Sequence, residues 1–204
     1  MSRWLLVRHG ETCWNAEGRL QGHTDVSLSQ KGRDQAERLR ERLASVTIDA
    51  AYSSDLARSR ETATALAEGR NVPLVLSAHL REQCYGRWEG STDSEIRAHD
   101  PEAHADMMKA DDGFTPPQGE SFRQVRERVA SFAKEIRAEG PQGTLLIVGH
   151  SGSLKALLVY LLDLPSSASW RLKMDSCSLS ILDVRPETAV LELFNDTSHL
   201  GGQR

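Results

Sequence analysis

Trp4-Leu5-Leu6-Val7-Arg8-His9-Gly10-Glu11-Thr12 is the stretch that decides the fold. Its four consecutive apolar residues, Trp4 to Val7, are too few for a signal peptide's apolar region and suit a short buried strand. The run stops abruptly in charged and small polar residues. A polar cluster at the end of a buried strand is where open α/β sheets place their chemistry. A second stretch has the same form: residues 144–148 are the most strand-like run of the chain and break into Gly149-His150-Ser151-Gly152. Parallel strands bring their carboxyl ends together, so His9 and His150 are expected in one crevice. Glycine beside each histidine lets backbone N–H groups approach an anion closely.

Working outward, residues 29–43 put Ala36, Leu39 and Leu43 on one helical face. Residues 49–53 read as a second strand, 55–68 as a helix through Leu56, Ala63 and Leu66, and 71–76 as a short strand. Residues 120–139 resume the helical period through Phe122, Val125, Val129, Phe132 and Ile136, and 154–162 form an apolar helix. Residues 177–184 and 188–194 make a closing hairpin about Arg185-Pro186-Glu187. The segment 89–119 differs, with Asp, His, Ala and Met ahead of Asp111-Asp112-Gly113 and Pro116-Pro117, and reads as a small helical lid closed by a loop. Strands alternating with helices predict a three-layer α/β/α sandwich with a mostly parallel central sheet. The expected organisation is one domain over residues 1–204 carrying the lid as an insertion; sheet order is not readable.

Composition narrows the classes. Lys plus Arg total 25 against 29 Asp plus Glu, a formal charge of -4 that gives no general footprint for nucleic acid or an anionic membrane. No stretch approaches the roughly 18 apolar residues of a membrane span. Cys13, Cys84 and Cys177 are odd in number and widely spread, which suits a reducing compartment better than a disulfide framework or zinc cage. A cytoplasmic protein is expected. The hairpin at 177–194 offers an edge through which a homodimer could form.

Single residues say less than their set. Arg58, in Ser53-Ser54-Asp55-Leu56-Ala57-Arg58, is by default a surface charge, but near a positive helix end it is a planar fork for phosphate oxygens. Glu82, in Leu80-Arg81-Glu82-Gln83, is unremarkable alone. Together with Arg8 and the two histidines the pattern becomes specific. Leu6-Val7-Arg8-His9-Gly10-Glu11-Thr12, Trp14-Asn15, Gly18-Arg19-Leu20-Gln21-Gly22, Asp25, Leu28, Gly32, Ser54-x-Leu56-x-Arg58-x-x-x-Thr62-Ala63, Glu82-x-x-Tyr85-Gly86-x-Trp88-Glu89-Gly90, Gly119-Glu120-Ser121 and Val148-Gly149-His150-Ser151-Gly152 follow one another in order. The ordered set resembles the histidine phosphatase superfamily, which includes the bisphosphate-dependent phosphoglycerate mutases, over nearly the whole chain.

The resemblance implies a phosphoglycerate mutase-like fold and a role for each match. His9 matches the nucleophile that carries a transient phosphoryl group. Arg8, Arg58 and His150 match the phosphate pocket, Glu82 the proton donor and acceptor, and Asn15 a polar residue lining the pocket. Gln21 and Thr24 fall at the pocket edge, and Ser151 is a turn residue whose N–H faces the phosphate. Attack on phosphorus needs a neutral imidazole whose other nitrogen is held by an acceptor. Two arginines and a second histidine can stabilise the transferring group's charge without a metal, and Glu82 can protonate the departing alkoxide. No cofactor is expected.

Competing readings leave residues unused. Gly149-His150-Ser151-Gly152-Ser153 nearly matches the nucleophile elbow of serine hydrolases, with Asp163, Asp183 and His199 following Ser151, but its fifth position is Ser153 and the N-terminal cluster stays idle. His23, His79, His99 and His104 lack ligand spacing for a metallohydrolase and read as solvated loop residues. No GxxxxGK[ST] or GxGxxG occurs. A non-catalytic binding module that keeps the fold is the reading from another class, and the presence of all five of His9, His150, Arg8, Arg58 and Glu82 argues against it. Within the family, mutases carry Arg-Arg-Gly-Phe before a Thr-Pro-Pro; here Asp111-Asp112-Gly113-Phe114 precedes Thr115-Pro116-Pro117, and two anions would repel a phosphate-and-carboxylate substrate. Metal-independent phosphomonoester hydrolysis of a small metabolite is therefore expected, with bisphosphate-dependent mutase activity as the alternative. The ending Leu193-Phe194-Asn195-Asp196-Thr197-Ser198-His199-Leu200 resembles α-ribazole phosphatases of cobalamin biosynthesis, making α-ribazole 5′-phosphate the favoured substrate.

Overall fold

The computed structural model describes residues 2–201. Met1 and residues 202–204, the ends of the expected 1–204 domain, lie outside the described residues. Six strands form one sheet: β1 (Ser2–Arg8), β2 (Ala50–Ser53), β3 (Leu74–Leu76), β4 (Gly143–Gly149), β5 (Leu179–Val184) and β6 (Ala189–Asp196). Their order is β3-β2-β4-β1-β5-β6. β3, β2, β4 and β1 run parallel, while β5 is antiparallel to β1 and β6 to β5. The mostly parallel sheet and the closing hairpin are as expected.

The helices are α1 (Cys13–Ala16), α2 (Gln30–Arg42), α3 (Ala57–Ala67), α4 (Asp93–His99), α5 (Pro101–Met107), α6 (Phe122–Glu139) and α7 (Ser151–Leu161). Alternation along the strands builds two cores. Trp4, Leu6, Tyr52, Leu145 and Ile147 face Val125, Val129 and Phe132 of α6 and Leu154, Leu157 and Leu158 of α7. Leu5, Val7, Ala51, Leu146 and Val148 face Ala36 and Leu39 of α2 and Ala63 and Leu66 of α3. A strand apolar on both faces must be covered on both, which gives the three layers. Fully burying each of these Leu, Ile or Val side chains contributes about 1.5–3 kcal/mol.

Several boundaries differ from the sequence expectation for physical reasons. α7 starts at Ser151 rather than Leu154, because His150 is its N-cap and its backbone N–H donates to Ser153 Oγ at 3.1 Å, closing the first turn. β3 spans only Leu74–Leu76, since Pro73 has no N–H for a ladder. The first turn expected in the helix over 55–68 is an extended approach, and α3 begins at Ala57.

Between β3 and α6 the chain leaves the sheet. α4 and α5 occupy the segment expected as a lid, with Thr92 and Glu95 forming a capping box on α4. Trp88 is buried, stacks on Phe114 with centroids 5.8 Å apart, and donates its indole N–H to Asp100 at 3.1 Å. It is a core aromatic of this layer. His104 is not a solvated loop residue: it is buried in α5 and its Nε2 lies 2.8 Å from Asp93 Oδ1. Among the described residues no helix is long and apolar enough to cross a membrane.

Candidate active site

The crevice lies at the carboxyl ends of β1, β4 and β2. Register places the histidines: Arg8 pairs with Gly149, one residue before each of them. His9 N–H then donates to Gly149 O at 3.0 Å. Both imidazoles are buried, with ring centroids 5.0 Å apart.

His9 Nδ1 lies 2.7 Å from Gly10 O. A carbonyl oxygen only accepts, so Nδ1 carries the proton and Nε2 keeps its lone pair. Burial, then the charges of Arg8 and Arg58, push the His9 pKa well below its usual value, so the ring is neutral at neutral pH. Burial, Arg58 and His9 act likewise on His150. Its tautomer is the opposite one. Arg58 Nε–H donates to His150 Nδ1 at 3.2 Å, which leaves the proton on Nε2, facing Ser59 Oγ at 3.3 Å.

Arg58 is fully buried in the first turn of α3. Nη1 donates to Thr24 O at 2.9 Å and Nη2 to Gly22 O at 2.7 Å. Among the described residues no carboxylate pairs with it. Burial lowers its pKa to about 10, against the opposing pull of Glu82 and Asp25, so it remains a cation. Arg8 donates Nη1 to Met174 O at 2.6 Å, while its buried Nε has no partner. Burial lowers its pKa too, with Glu82 and Asp175 opposing. Two desolvated guanidinium groups with spare donors are costly unless an anion arrives, which is the signature of an oxyanion pocket.

Glu82 enters from the loop after the turn Ala78–Leu80. Its Oε1 accepts from Gly152 N and Gln83 N, each at 2.9 Å, and Oε2 accepts from Gly152 N at 3.2 Å. Its main-chain oxygen accepts from Arg128 Nη2 and from His23 Nε2, each at 2.9 Å. Arg128 in turn pairs with Glu120 at 2.8 Å, which explains the Gly119-Glu120-Ser121 run as a brace for this loop. His23 is therefore a structural donor, not a solvated one; His79 and His99 are exposed as expected, but they lie in the turn Ala78–Leu80 and at the end of α4 rather than in loops.

His9, His150, Arg8, Arg58 and Glu82 are thus brought together. The remaining sequence candidates sit around them. Asn15 Oδ1 accepts from Thr12 N and Oγ1, both at 3.1 Å, completing the capping box of the N-cap Thr12 on α1, and Asn15 lines a small cavity with Arg8 and Asp175. Gln21 is buried with Oε1 unpartnered. The Thr24 hydroxyl turns away to Glu89 at 2.6 Å, and Thr24 serves the site through its carbonyl. Ser151 opens α7 and lines the adjoining cavity. The serine hydrolase reading fails here: Ser151 Oγ bonds no histidine, Asp183 binds Arg185 at 2.7 Å, and His199 Nε2 donates to Cys177 O at 3.1 Å.

Sequence reasoning missed Glu89 as a structural hub. Its carboxylate accepts from His23 N and Thr24 N at 2.9 Å and from Tyr85 N at 3.1 Å, tying the Gly22–Thr24 loop that holds Arg58 to the Glu82 loop. Burial opposes its ionisation, but these bonds, with that of the Thr24 hydroxyl foremost, hold it below the usual carboxyl range. A Cβ on Gly22, at φ +52°, would strike Glu89 Oε1 at 2.0 Å. Trp88-Glu89-Gly90 marked the segment without showing this role. Thr62 was likewise only part of a pattern; its Oγ1 accepts from Gly10 N at 3.0 Å and donates to Arg58 O at 2.7 Å. Among the described residues no three His, Cys, Asp or Glu side chains cluster to hold a metal.

The two lid anions expected to repel a substrate do not act as a pair: Asp112 is bound to Arg123 and Arg126 at 3.0 Å and accepts from Ser166 at 2.8 Å. Asp111 alone lines a cavity of about 210 Å³ beside Ser151 and Gly152, walled by Tyr85, Phe114, Phe122 and Trp170, with Lys155 as its cation.

Comparison with known proteins shows the family. The chain is 32% identical over 201 residues to phosphoserine phosphatase 1 of Hydrogenobacter thermophilus, covering 98% of this chain and 95% of that one. It is 33% identical over 193 residues to the adenosylcobalamin/alpha-ribazole phosphatase of Salmonella typhimurium, covering 95% and 96%. The crystal structure of the alpha-ribazole phosphatase from Shigella flexneri superposes with a TM-score of 0.89 at 29% identity, covering 96% of each chain. Residues 4–197 match the histidine phosphatase superfamily (branch 1), and the chain belongs to that superfamily.

Proposed function

We propose that the chain hydrolyses a phosphomonoester without a metal, through a phosphoryl group carried on His9. One observation carries the reading: His9 is neutral, its Nδ1 proton is held by Gly10 O, and Nε2 stays unbonded among desolvated arginines. In the first half, Nε2 bonds to phosphorus as the P–O ester bond breaks; the alcohol oxygen keeps the electron pair and takes a proton from Glu82. In the second, water attacks phosphorus, gives a proton to Glu82, and the P–N electron pair returns to Nε2. Phosphate and alcohol leave, and the enzyme is restored. Arg8 and Arg58 neutralise the oxygens of the transferring group. His150, with both nitrogens occupied, serves by holding Arg58 and packing on His9. Asn15, Gln21, Thr24 and Ser151 shape the surroundings.

The cavity beside Gly152 takes the alcohol half of the substrate. Its aromatic walls suit a flat apolar group better than a bare amino acid or hydroxy acid. That supports α-ribazole 5′-phosphate, whose benzimidazole is flat, over phosphoserine or phosphoglycerate. The test is phosphate release from these three esters in EDTA without added bisphosphate, beside an assay of 3- to 2-phosphoglycerate conversion. Fast EDTA-insensitive release, highest for the ribazole ester, is expected. Isomerisation that depends on 2,3-bisphosphoglycerate with little release would contradict the reading.

A further inference from the structure

Gly152, the second residue of α7, has ordinary helical backbone rather than a left-handed one. Alanine is the better helix former at such a position, so conformation gives no reason for glycine. Space gives one. A Cβ on Gly152 would fall 2.2 Å from Glu82 Oε1 and 3.3 Å from its carboxyl carbon. The Glu82 oxygens lie 2.9 and 3.2 Å from Gly152 N, and Gln83 N holds Oε1 from a second direction at 2.9 Å. The loop cannot easily retreat, because Arg128 and His23 both grip the Glu82 carbonyl.

We propose that Gly152 is a positioning residue for proton transfer: its bare α-carbon and amide seat the Glu82 carboxyl so that Oε2, the less tightly held oxygen, meets the ester oxygen of the substrate. The inference rests on Glu82 being the proton donor and adds what aims it. As the P–O bond breaks, the ester oxygen takes the Oε2 proton, and the carboxylate left behind is anionic. It accepts from the same two amides, whose hydrogen bonds strengthen as the charge develops. A methyl group at position 152 pushes the carboxyl off this line while leaving His9 and both arginines in place.

The experiment compares Gly152→Ala on two esters, p-nitrophenyl phosphate and propyl phosphate, through kcat/KM, which reports the step that forms the phosphoenzyme. p-Nitrophenolate departs without a proton, whereas propoxide needs one. The expected result is a loss about 10²-fold greater for the propyl ester than for the p-nitrophenyl ester, the scale of general acid assistance. Glu82→Gln should show the same selectivity, and the double variant should be no worse than the worse single one. Unchanged affinity for inorganic phosphate checks that the pocket is intact. If Glu82→Gln is selective but Gly152→Ala lowers both esters alike, or neither, the proposal is overturned and Glu82 keeps its role. If Glu82→Gln is itself unselective, the reading of Glu82 fails and takes the proposal with it. Should Gly152→Ala fold poorly, Glu82→Asp/Gly152→Ala supplies the answer. Its shorter acid clears the methyl, so it should match Glu82→Asp alone; a further loss confined to the propyl ester counts against the proposal.

Discussion

The phosphate pocket and the cavity beside it are built on opposite plans. The pocket is made of strand ends and the first turn of α3; Arg58, His9 and His150 are buried, Arg58 is fixed by His150 Nδ1, Thr24 O and Gly22 O, and donors of both arginines are left free toward the crevice. The cavity is walled by aromatic side chains from the excursion between β3 and α6 and from the turn Ser166–Arg171, with Trp170 half exposed at its mouth. On the proposed reading, one region is preorganised for a group common to every phosphomonoester and the other meets whatever alcohol that group is attached to. The difference then teaches where variation can be tolerated: the proposed chemistry resides on the sheet, and the proposed choice of substrate on the loops.

That contrast can be broken by substitution. His9→Ala should lower kcat/KM by on the order of 10⁴-fold or more for every ester, with the fold intact by circular dichroism. Activity near that of the unaltered protein would remove His9 as nucleophile. Arg58→Met should cost about 10²–10³-fold, again irrespective of the alcohol. Arg58→Lys should restore little, because a single ammonium cannot reach Thr24 O, Gly22 O and His150 Nδ1 together. An ester-dependent loss in either variant would blur the division between the two regions.

How much of this was legible beforehand follows the same division. The strand ends at Arg8-His9 and Gly149-His150 announce themselves through apolar runs that stop in charged and glycine residues, and Arg58 and Glu82 follow from ordered spacing. What sequence could not show depends on contacts across the fold. Glu89 looks like any loop carboxylate until His23, Thr24 and Tyr85 donate to it. Asp112 reads as a free anion until Arg123 and Arg126 close on it. Gly152 reads as part of the break after the strand over 144–148, ahead of the helix expected at 154–162, whereas α7 already runs through it and the missing side chain makes room for Glu82. His104 reads as solvated because a single polar residue gives no sign of which helical face is covered, and the fold buries it.

Smaller effects should sharpen the comparison from the cavity side. Trp170→Ala is expected to raise KM about tenfold for aromatic esters and leave small aliphatic ones unchanged, the scale of losing one apolar contact. An equal change for both classes would place Trp170 outside substrate binding. The pocket also predicts a pH effect on stability. His9 and His150 have folded-state pKa values below the ordinary one, so under about pH 6.5 the unfolded chain binds protons that the folded chain refuses. Stability should therefore decline as pH falls from 7 toward 5.5, by up to about 1.4 kcal/mol per pH unit for each histidine. Urea midpoints for the unaltered protein and His9→Ala measure this; the variant should show the shallower decline, and identical slopes would contradict neutral burial of His9.

The most direct test is to catch the phosphoryl group in transit. The protein is mixed with excess ester, quenched in alkali within a turnover, digested, and the modified residue identified by mass spectrometry, with ³¹P NMR distinguishing the ring nitrogens. The account predicts phosphate on Nε2 of His9, absent from His9→Ala and lost again when substrate is exhausted. Phosphate on Nδ1 of His9, on His150 or on Ser151, or rapid turnover with no phosphoenzyme at all, would contradict it.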